Sequence, residues 1–274
     1  MKKLLPIATI ALIAVCTFVL VQCDELTGGA PLNIKIVADT DSTLTISWSA
    51  PTEGTPDKYM VGFMETGTAS YTTIGEPTAT ELMHDPAGMT GTYKVTAVFG
   101  SSEYDGAITP TTMPIATVET AVGELNGAEL AGYGWGRATG AGATYTMTQA
   151  SSAASVDFYI TDWEIGYDGP SYYIASPDIT PDDPGNVGVV PPASWAINAF
   201  SDPLGSLQGP IPHHESGINY FDNTELTADP TVVACHTADD YYGLVKVGSF
   251  NTGTGEVKVE SWFQTIMGLR LIQH

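Results

Sequence analysis

Three histidines in the C-terminal half of the chain have the side chains best suited to binding a metal ion. His213 and His214 are adjacent, and His236 follows Cys235. Imidazole nitrogens are ligands of transition-metal ions and of heme iron. Adjacent side chains point to opposite faces of a strand, so these two bind one ion only from a loop. The three residues therefore predict either a metal or heme site or exposed loop histidines, and no CxxC or HExxH motif points to zinc.

Two acidic segments offer oxygen atoms of the kind that Ca²⁺ prefers. They are Asp178–Asn186 and Asp222–Glu225. Neither has the ligand spacing of an EF-hand, and Asx turns beside proline explain the same composition. We expect no cofactor from the rest of the sequence, so calcium is the one that these segments leave open.

Catalytic residues are represented by one pair of carboxylates. Asp162 and Glu164 lie two residues apart, so they would share one face of a strand, an arrangement compatible with glycoside hydrolysis. There is no GxSxG nucleophile motif, and the lone Cys235 is equally well explained as a buried apolar residue. A carbohydrate-active enzyme is therefore an alternative to the non-catalytic role that we expect.

Aromatic residues are concentrated in glycine- and proline-bounded segments of the C-terminal half. Aromatic side chains on β-domain loops provide surfaces for sugar rings and for protein partners. The alternative is that most of them form the core of the domain. The candidates for a ligand-binding surface are Trp163, Tyr172, Tyr173 and Trp195.

The net charge of −22 excludes one class of partner. The chain has 9 Lys and Arg residues against 31 Asp and Glu residues. Such a protein repels phosphate backbones and anionic lipid headgroups, so we expect no nucleic acid and no direct membrane binding. An envelope protein or a glycan is the expected partner. Hydrophobic residues make up 43% of the chain, which is enough for a packed core.

The strands that would position these residues are indicated by alternating apolar side chains. In the segment 31–114 this period-two pattern includes Leu44, Ile46 and Trp48, separated from the next strand by turn residues. Trp48 followed by Pro51, and Tyr93 in an E–F corner, make this segment resemble a fibronectin type III domain. The resemblance implies a β-sandwich used as a spacer or protein-binding module, with the hydroxyl of Tyr93 bonded to upstream backbone.

The remainder, 115–274, predicts a second antiparallel β domain, a sandwich or jelly roll. Strands are expected over 143–148, 155–165, 171–176, 194–200 and 231–236, with one or two helical turns at 122–130. The clearest pattern is a closing meander of 242–247, 256–263 and 268–273, with Val257 and Val259 pointing inward. Asp162–Ile165 and Tyr241–Gln264 are similar to segments of HmuY-like bacterial surface lipoproteins, which implies heme binding as an alternative function.

The N-terminus predicts export. Lys2 and Lys3 precede an uncharged run, Leu4–Val21, which is typical of a signal peptide. The sequence Leu20-Val21-Gln22-Cys23 resembles the lipobox of bacterial lipoproteins, which implies lipidation of Cys23. Residues 1–23 are then the signal peptide and 24–30 a tether.

Together these features predict a secreted lipoprotein of the cell envelope. It would be a non-catalytic binding or structural module, anchored to the membrane only by its lipid, that presents the C-terminal domain on a fibronectin type III spacer. Capture of heme or metal and action on carbohydrate are the alternatives.

Overall fold

A computed structural model describes residues 28–186, 188–189, 195–207 and 210–272. The named strand pairs in these ranges are antiparallel, and two 3₁₀ helices, Ala150–Ser155 and Pro177–Asp182, are the helical elements found there. The prediction of an all-β fold is confirmed. In the part of the chain that the structure describes, no helix is long and apolar enough to cross a bilayer. The predicted signal peptide, Cys23 and residues 24–27 lie outside the described residues.

The N-terminal domain has seven named strands: β1 (Leu32–Ala38), β2 (Leu44–Ser49), β3 (Lys58–Glu65), β4 (Thr72–Gly75), β5 (Glu81–His84), β6 (Gly91–Phe99) and β7 (Ser102–Asp105). They form a sandwich of a three-stranded sheet, ordered β1-β2-β5, and a four-stranded sheet, ordered β4-β3-β6-β7. This three-plus-four order agrees with the fibronectin type III resemblance. The core contains the edge-to-face pair Trp48 and Tyr59, with ring centroids 5.1 Å apart.

The corner tyrosine makes a different hydrogen bond from the expected one. The ring of Tyr93 is fully buried, but its hydroxyl lies 2.9 Å from Nδ1 of His84 and not on upstream backbone. The expectation was wrong because strand β5 ends at His84 and places the imidazole against the tyrosine, with ring centroids 5.6 Å apart. The hydroxyl is thereby satisfied by a side chain.

The C-terminal domain is a second sandwich. Its strands in the described residues are β8 (Ile115–Gly123), β9 (Gly132–Trp135), β10 (Gly142–Tyr145), β11 (Phe158–Thr161), β12 (Tyr173–Ala175), β13 (Ala199–Ser201), β14 (Tyr220–Phe221), β15 (Asn223–Glu225), β16 (Thr231–His236), β17 (Tyr242–Val247) and β18 (Glu256–Phe263). The six-stranded sheet is ordered β14-β13-β16-β17-β18-β8 and the five-stranded sheet β10-β9-β11-β12-β15. Aromatic side chains of both sheets meet in the core, among them Trp135 and Phe263, which stack with centroids 5.1 Å apart.

Strands β16, β17 and β18 have the predicted bounds, and Val257 and Val259 of β18 are buried as predicted. Strands β10 to β13 are shorter than predicted, because irregular segments, turns and a 3₁₀ helix take up the flanking residues that the structure describes; residue 194 lies outside them. The helical turns expected at 122–130 are absent from the structure, which describes all of these residues. Strand β8 continues to Gly123, and a turn follows in which Gly127 donates to the carbonyl of Glu124.

The prediction of a third strand in the closing meander was wrong. Residues 268–272 form no strand, and β8 occupies the position beside β18 instead. The alternating leucines of this segment are nevertheless buried, but in the other domain: Leu269 and Leu271 belong to the core of the N-terminal sandwich. Alternation predicted the burial of these side chains without indicating which sheet would cover them.

Candidate functional site

The three predicted histidines lie close together on the outer face of the six-stranded sheet. His213 and His214 belong to the loop that precedes β14, and His236 is the last residue of β16. The proline-bounded start of the loop is held down by Ile211, which is 2% exposed and packs with Tyr220. The loop is also closed internally.

Internal hydrogen bonds fix the shape of this loop. The side-chain amide of Asn219 donates to the carbonyl of His213 at 2.7 Å, and its Oδ1 accepts from the backbone N–H of Glu215 at 2.9 Å. The hydroxyl of Tyr220 donates to the carbonyl of Pro212 at 3.0 Å. The adjacent residues His213 and His214 therefore lie in a loop of defined conformation. A loop is the conformation in which two adjacent histidines can face one site.

All three histidines line one cavity, which we call the histidine cleft. Its volume is about 400 Å³, and residues of both domains form it. The N-terminal domain contributes the turn between β1 and β2. The lining residues are Ala38, Asp39, Thr40, Asp41, His213, His214, His236, Asp240, Tyr242, Met267 and Gly268.

The rings of His214 and His236 are stacked face to face. Their centroids are 3.9 Å apart and their planes differ by 14°. Nε2 of His236 lies 2.9 Å from a carboxylate oxygen of Asp240. The ring of Tyr220 meets His214 edge to face at 5.1 Å, and that of Tyr242 lies 4.7 Å from His236.

Asp41 ties the two domains together beside this pair. Its Oδ2 accepts hydrogen bonds from Nδ1 of His213 and from Nε of Arg270, each at 2.6 Å. Burial raises the pKa of Asp41, but the hydrogen bond from His213 and the charge of Arg270 together outweigh it, so this pKa lies below its ordinary value. Arg270 also donates through Nη1 to the carbonyl of Ile211 at 2.8 Å.

The arrangement does not match a metal centre. The lone pair of a neutral imidazole lies in the plane of its ring, so the stacked rings of His214 and His236 direct their lone pairs along nearly parallel planes. The Nδ1 atom of His213 faces Asp41. Among the described residues, no group of three or more His, Cys, Asp or Glu side chains is placed to hold a metal ion. The predicted histidines thus share a cleft without sharing a coordination point.

A second cavity of about 570 Å³ adjoins the cleft, and His214 and His236 form the wall between them. We call it the rim pocket. Ile197 and Phe221 line it, and both are exposed, at 70% and 36%. Ile218, which is 71% exposed, lies in the turn that supplies two further lining residues. Sequence reasoning missed Ile197 and Ile218, because an isolated isoleucine gives no local sign of exposure.

The predicted aromatic surface is not assembled. Trp195 is 6% exposed and packs in the cluster that covers the five-stranded sheet, with Trp163 half-buried against it. The ring of Tyr172 stacks on Phe250 with centroids 3.4 Å apart, and Tyr173 packs against Trp163 at 5.8 Å. Trp163 thus contacts both Tyr173 and the cluster of Trp195, whereas Tyr172 pairs with Phe250.

The acidic segment 178–186 satisfies its own backbone. Asp183 is 2% exposed; its Oδ2 accepts from the hydroxyl of Thr161 at 2.6 Å and its Oδ1 from the backbone N–H of Gly185 at 2.8 Å. Asp178 accepts a short hydrogen bond from the hydroxyl of Ser176. These contacts correspond to the Asx-turn interpretation of the segment.

The carboxylate pair Asp162 and Glu164 does not lie on a strand. Strand β11 ends at Thr161, and the buried Asp162 follows it in a loop. Its two oxygens accept from the backbone N–H groups of Glu164 at 2.9 Å and Gly169 at 2.8 Å. The carboxylate therefore closes a loop, and Glu164 points to solvent beside it.

Glu124 is a buried acid that sequence reasoning missed. It is fully buried, and its Oε1 has no hydrogen-bond partner among the described residues. Burial raises its pKa to about 7, and the nearby carboxylates of Asp162 and Asp183 contribute, although the backbone N–H groups of Leu125 and Asn126 act in the opposite direction. Its position at the end of a strand gave no signal of this burial.

Comparison with known proteins gives limited matches. No family model matches the sequence, and no curated protein matches it. The fibronectin type III domain of human collagen alpha-1(XX) chain is similar over 31% of this chain and 84% of its own, at 19% identity and a TM-score of 0.27. A human protein's fourth fibronectin type III domain is similar over 30% of this chain and 72% of its own, at 17% identity and a TM-score of 0.26.

A structure of titin kinase and its flanking domains is similar over 88% of this chain and 38% of its own, at 10% identity and a TM-score of 0.27. These TM-scores are low. The fold of the N-terminal domain is therefore assigned from its own strand order and register.

Proposed function

We propose that this chain is a non-catalytic binding module of a bacterial cell envelope, exported and held at the membrane by a lipid on Cys23. The C-terminal sandwich engages a partner at the rim pocket, and the N-terminal sandwich braces it. The observation that carries this proposal is the set of exposed apolar side chains, Ile197, Ile218 and Phe221, around a concave site in a strongly acidic protein.

The surroundings of the rim pocket favour a protein partner over a glycan. The rim carries two aliphatic side chains, and the aromatic rings that were candidates for sugar stacking pack against other residues away from the rim pocket. Asp222 and Glu215 are exposed beside the apolar centre. A partner that presents an apolar side chain flanked by basic groups would complement this surface.

A photo-crosslinking amino acid at Phe221 tests the partner site in the envelope of the bacterium that makes the protein. We expect a discrete protein adduct, and no such adduct from the matched position Ile165, which is 77% exposed in the loop after β11 and does not line the rim pocket. Substitution of Ile197 or Ile218 by Asp weakens the adduct. Equal adducts from both positions would contradict the proposal, and an adduct to polysaccharide would reassign the partner to a glycan.

Lipid attachment is tested separately. Metabolic labelling with an alkyne fatty acid is expected to label the chain, and Cys23→Ser to abolish the label. Cys16→Ser is the matched control, because Cys16 lies in the same apolar segment and is expected to leave labelling unchanged. Label that survives Cys23→Ser would refute the anchor.

A further inference from the structure

The stacked pair of His214 and His236 forms the wall shared by the histidine cleft and the rim pocket. Two neutral imidazoles stack favourably, whereas two imidazolium rings with centroids 3.9 Å apart repel each other where water is partly excluded. We propose that this pair is an acid-sensitive latch, closed while at least one ring is neutral and released when both rings carry a proton. This property of the loop before β14 goes beyond the proposed partner binding and does not require a partner.

One carboxylate balances the pair. Asp240 is bonded to Nε2 of His236 at 2.9 Å, so a first proton on that ring is compensated. The charged and titratable groups around the pair come from its own loop, from β14, β16 and β17 with the residues that follow them, from the segment after β18, and from the N-terminal domain. They are His213, Glu215, Tyr220, Asp222, Cys235, Asp240, Tyr242, Arg270, Asp39 and Asp41.

The carboxylate of Asp41 is already committed. It accepts from both His213 and Arg270, so a charge on His213 strengthens an existing contact and opposes opening. The other carboxylates around the two cavities, Asp39, Glu215 and Asp222, are exposed, so solvent screens their charges and a second proton on the stacked pair has no hydrogen-bonded carboxylate. Burial lowers the pKa of His214, and His236 and His213 lower it further, while Asp240 offsets these effects only in part.

His214 is coupled to the turn that borders the rim pocket through the side chain of Asn219, which bonds the carbonyl of His213 and the N–H of Glu215 on either side of His214. In this turn, Gly217 donates to the carbonyl of Tyr220 at 2.8 Å, and Ile218 donates to that of Glu215 at 3.1 Å. The start of the loop is anchored independently by buried Ile211. Repulsion of the His214 ring is therefore expected to loosen the turn and widen the rim pocket while the anchor stays in place.

Amide hydrogen exchange of the full chain in detergent, compared at about pH 7.5 and about pH 5 with correction for intrinsic rates, tests the latch. Wild type is expected to lose protection in residues 212–219 by about tenfold on acidification, because release of the stacked pair opens the loop locally. His214→Phe keeps a stacked ring that takes no proton, so its protection is expected to be equal at both pH values.

His84→Phe is the matched control, because it removes a titrating ring from the other domain, where His84 contacts Tyr93. It is expected to retain the wild-type acid response in 212–219. Absence of that response in wild type, or its persistence in His214→Phe, would overturn the proposal. If His214→Phe does not fold, His236→Phe is the second variant, and an acid response that survives in it would have the same meaning.

Discussion

Nε of Arg270 lies 2.6 Å from Oδ2 of Asp41, although 229 residues separate them in the chain. The backbone repeats the contact, because the N–H of Arg270 donates to the carbonyl of Asp41 at 2.8 Å. Both side chains are mostly shielded, at 23% and 19% exposure. The pair fastens the C-terminal segment to the first turn of the N-terminal sandwich, beside the histidine cleft.

Arg270→Met is therefore expected to lower the free energy of unfolding by about 2 kcal/mol, because it removes one of the two side-chain donors of Asp41 and the donor to the carbonyl of Ile211. Urea denaturation measures this change. The control is Lys58→Met, which removes an exposed ion pair with Glu76 and is expected to cost less than about 1 kcal/mol. Equal losses in the two variants would show that the junction pair has no special role.

Leu271→Ala is expected to destabilise the N-terminal sandwich by about 2–5 kcal/mol, because the side chain is 2% exposed in the core that contains Trp48. Hydrogen exchange in strands β2 and β6 reports the effect. Met267→Ala, four residues earlier and 60% exposed, should leave the same amides protected. Unchanged protection in Leu271→Ala would exclude this segment from the core.

Glu124→Gln is expected to stabilise the protein at alkaline pH. The folded chain holds the Glu124 proton with a pKa of about 7 against an ordinary value of 4.5. Wild type therefore loses up to ~3 kcal/mol from this group as pH rises through that interval, and the amide does not titrate. Urea unfolding at about pH 5 and about pH 8 measures the difference. Glu119→Gln, exposed on the strand that precedes Glu124, leaves the Glu124 carboxyl in place and should therefore keep the wild-type pH dependence.

Arg137→Lys is expected to cost about 3 kcal/mol or more. The guanidinium donates two hydrogen bonds to buried Asp157 and two to Asp239, and it lies over the rings of Tyr241 and Phe263. An ammonium group cannot replace this planar contact, and Asp157 would be left buried with poor compensation. Thermal unfolding provides the measurement. Asp239→Asn should cost much less, because that side chain is 51% exposed.

Local sequence patterns predicted which side chains of a strand are buried and where several strands begin and end. Alternation in β2 gave buried Leu44, Ile46 and Trp48, and alternation with turn residues gave the bounds of β16 to β18. Leu269 and Leu271 follow the same alternation, but their neighbour in space is a sandwich formed more than 160 residues earlier. Period-two spacing contains no information about such a partner.

The site divides in the same way. Residue type singled out His213, His214 and His236, and the structure brings all three to one cleft. Their ring stacking, and the involvement of Asp41 and Arg270, depend on contacts between distant segments that no spacing encodes. For the aromatic candidates the error is the opposite, since residue type suggested a binding surface where the side chains pack. A core poor in leucine and isoleucine is filled by aromatic side chains, and composition alone does not distinguish such a core from an aromatic binding surface.

The insertion of Leu269 and Leu271 has a consequence for biogenesis. The first sandwich to leave the ribosome lacks two of its hydrophobic side chains until residue 271 has been synthesised. A polypeptide truncated before Leu269 would expose unfilled core positions in its N-terminal sandwich. The two leucines thus make completion of the N-terminal domain depend on synthesis through the C-terminal domain.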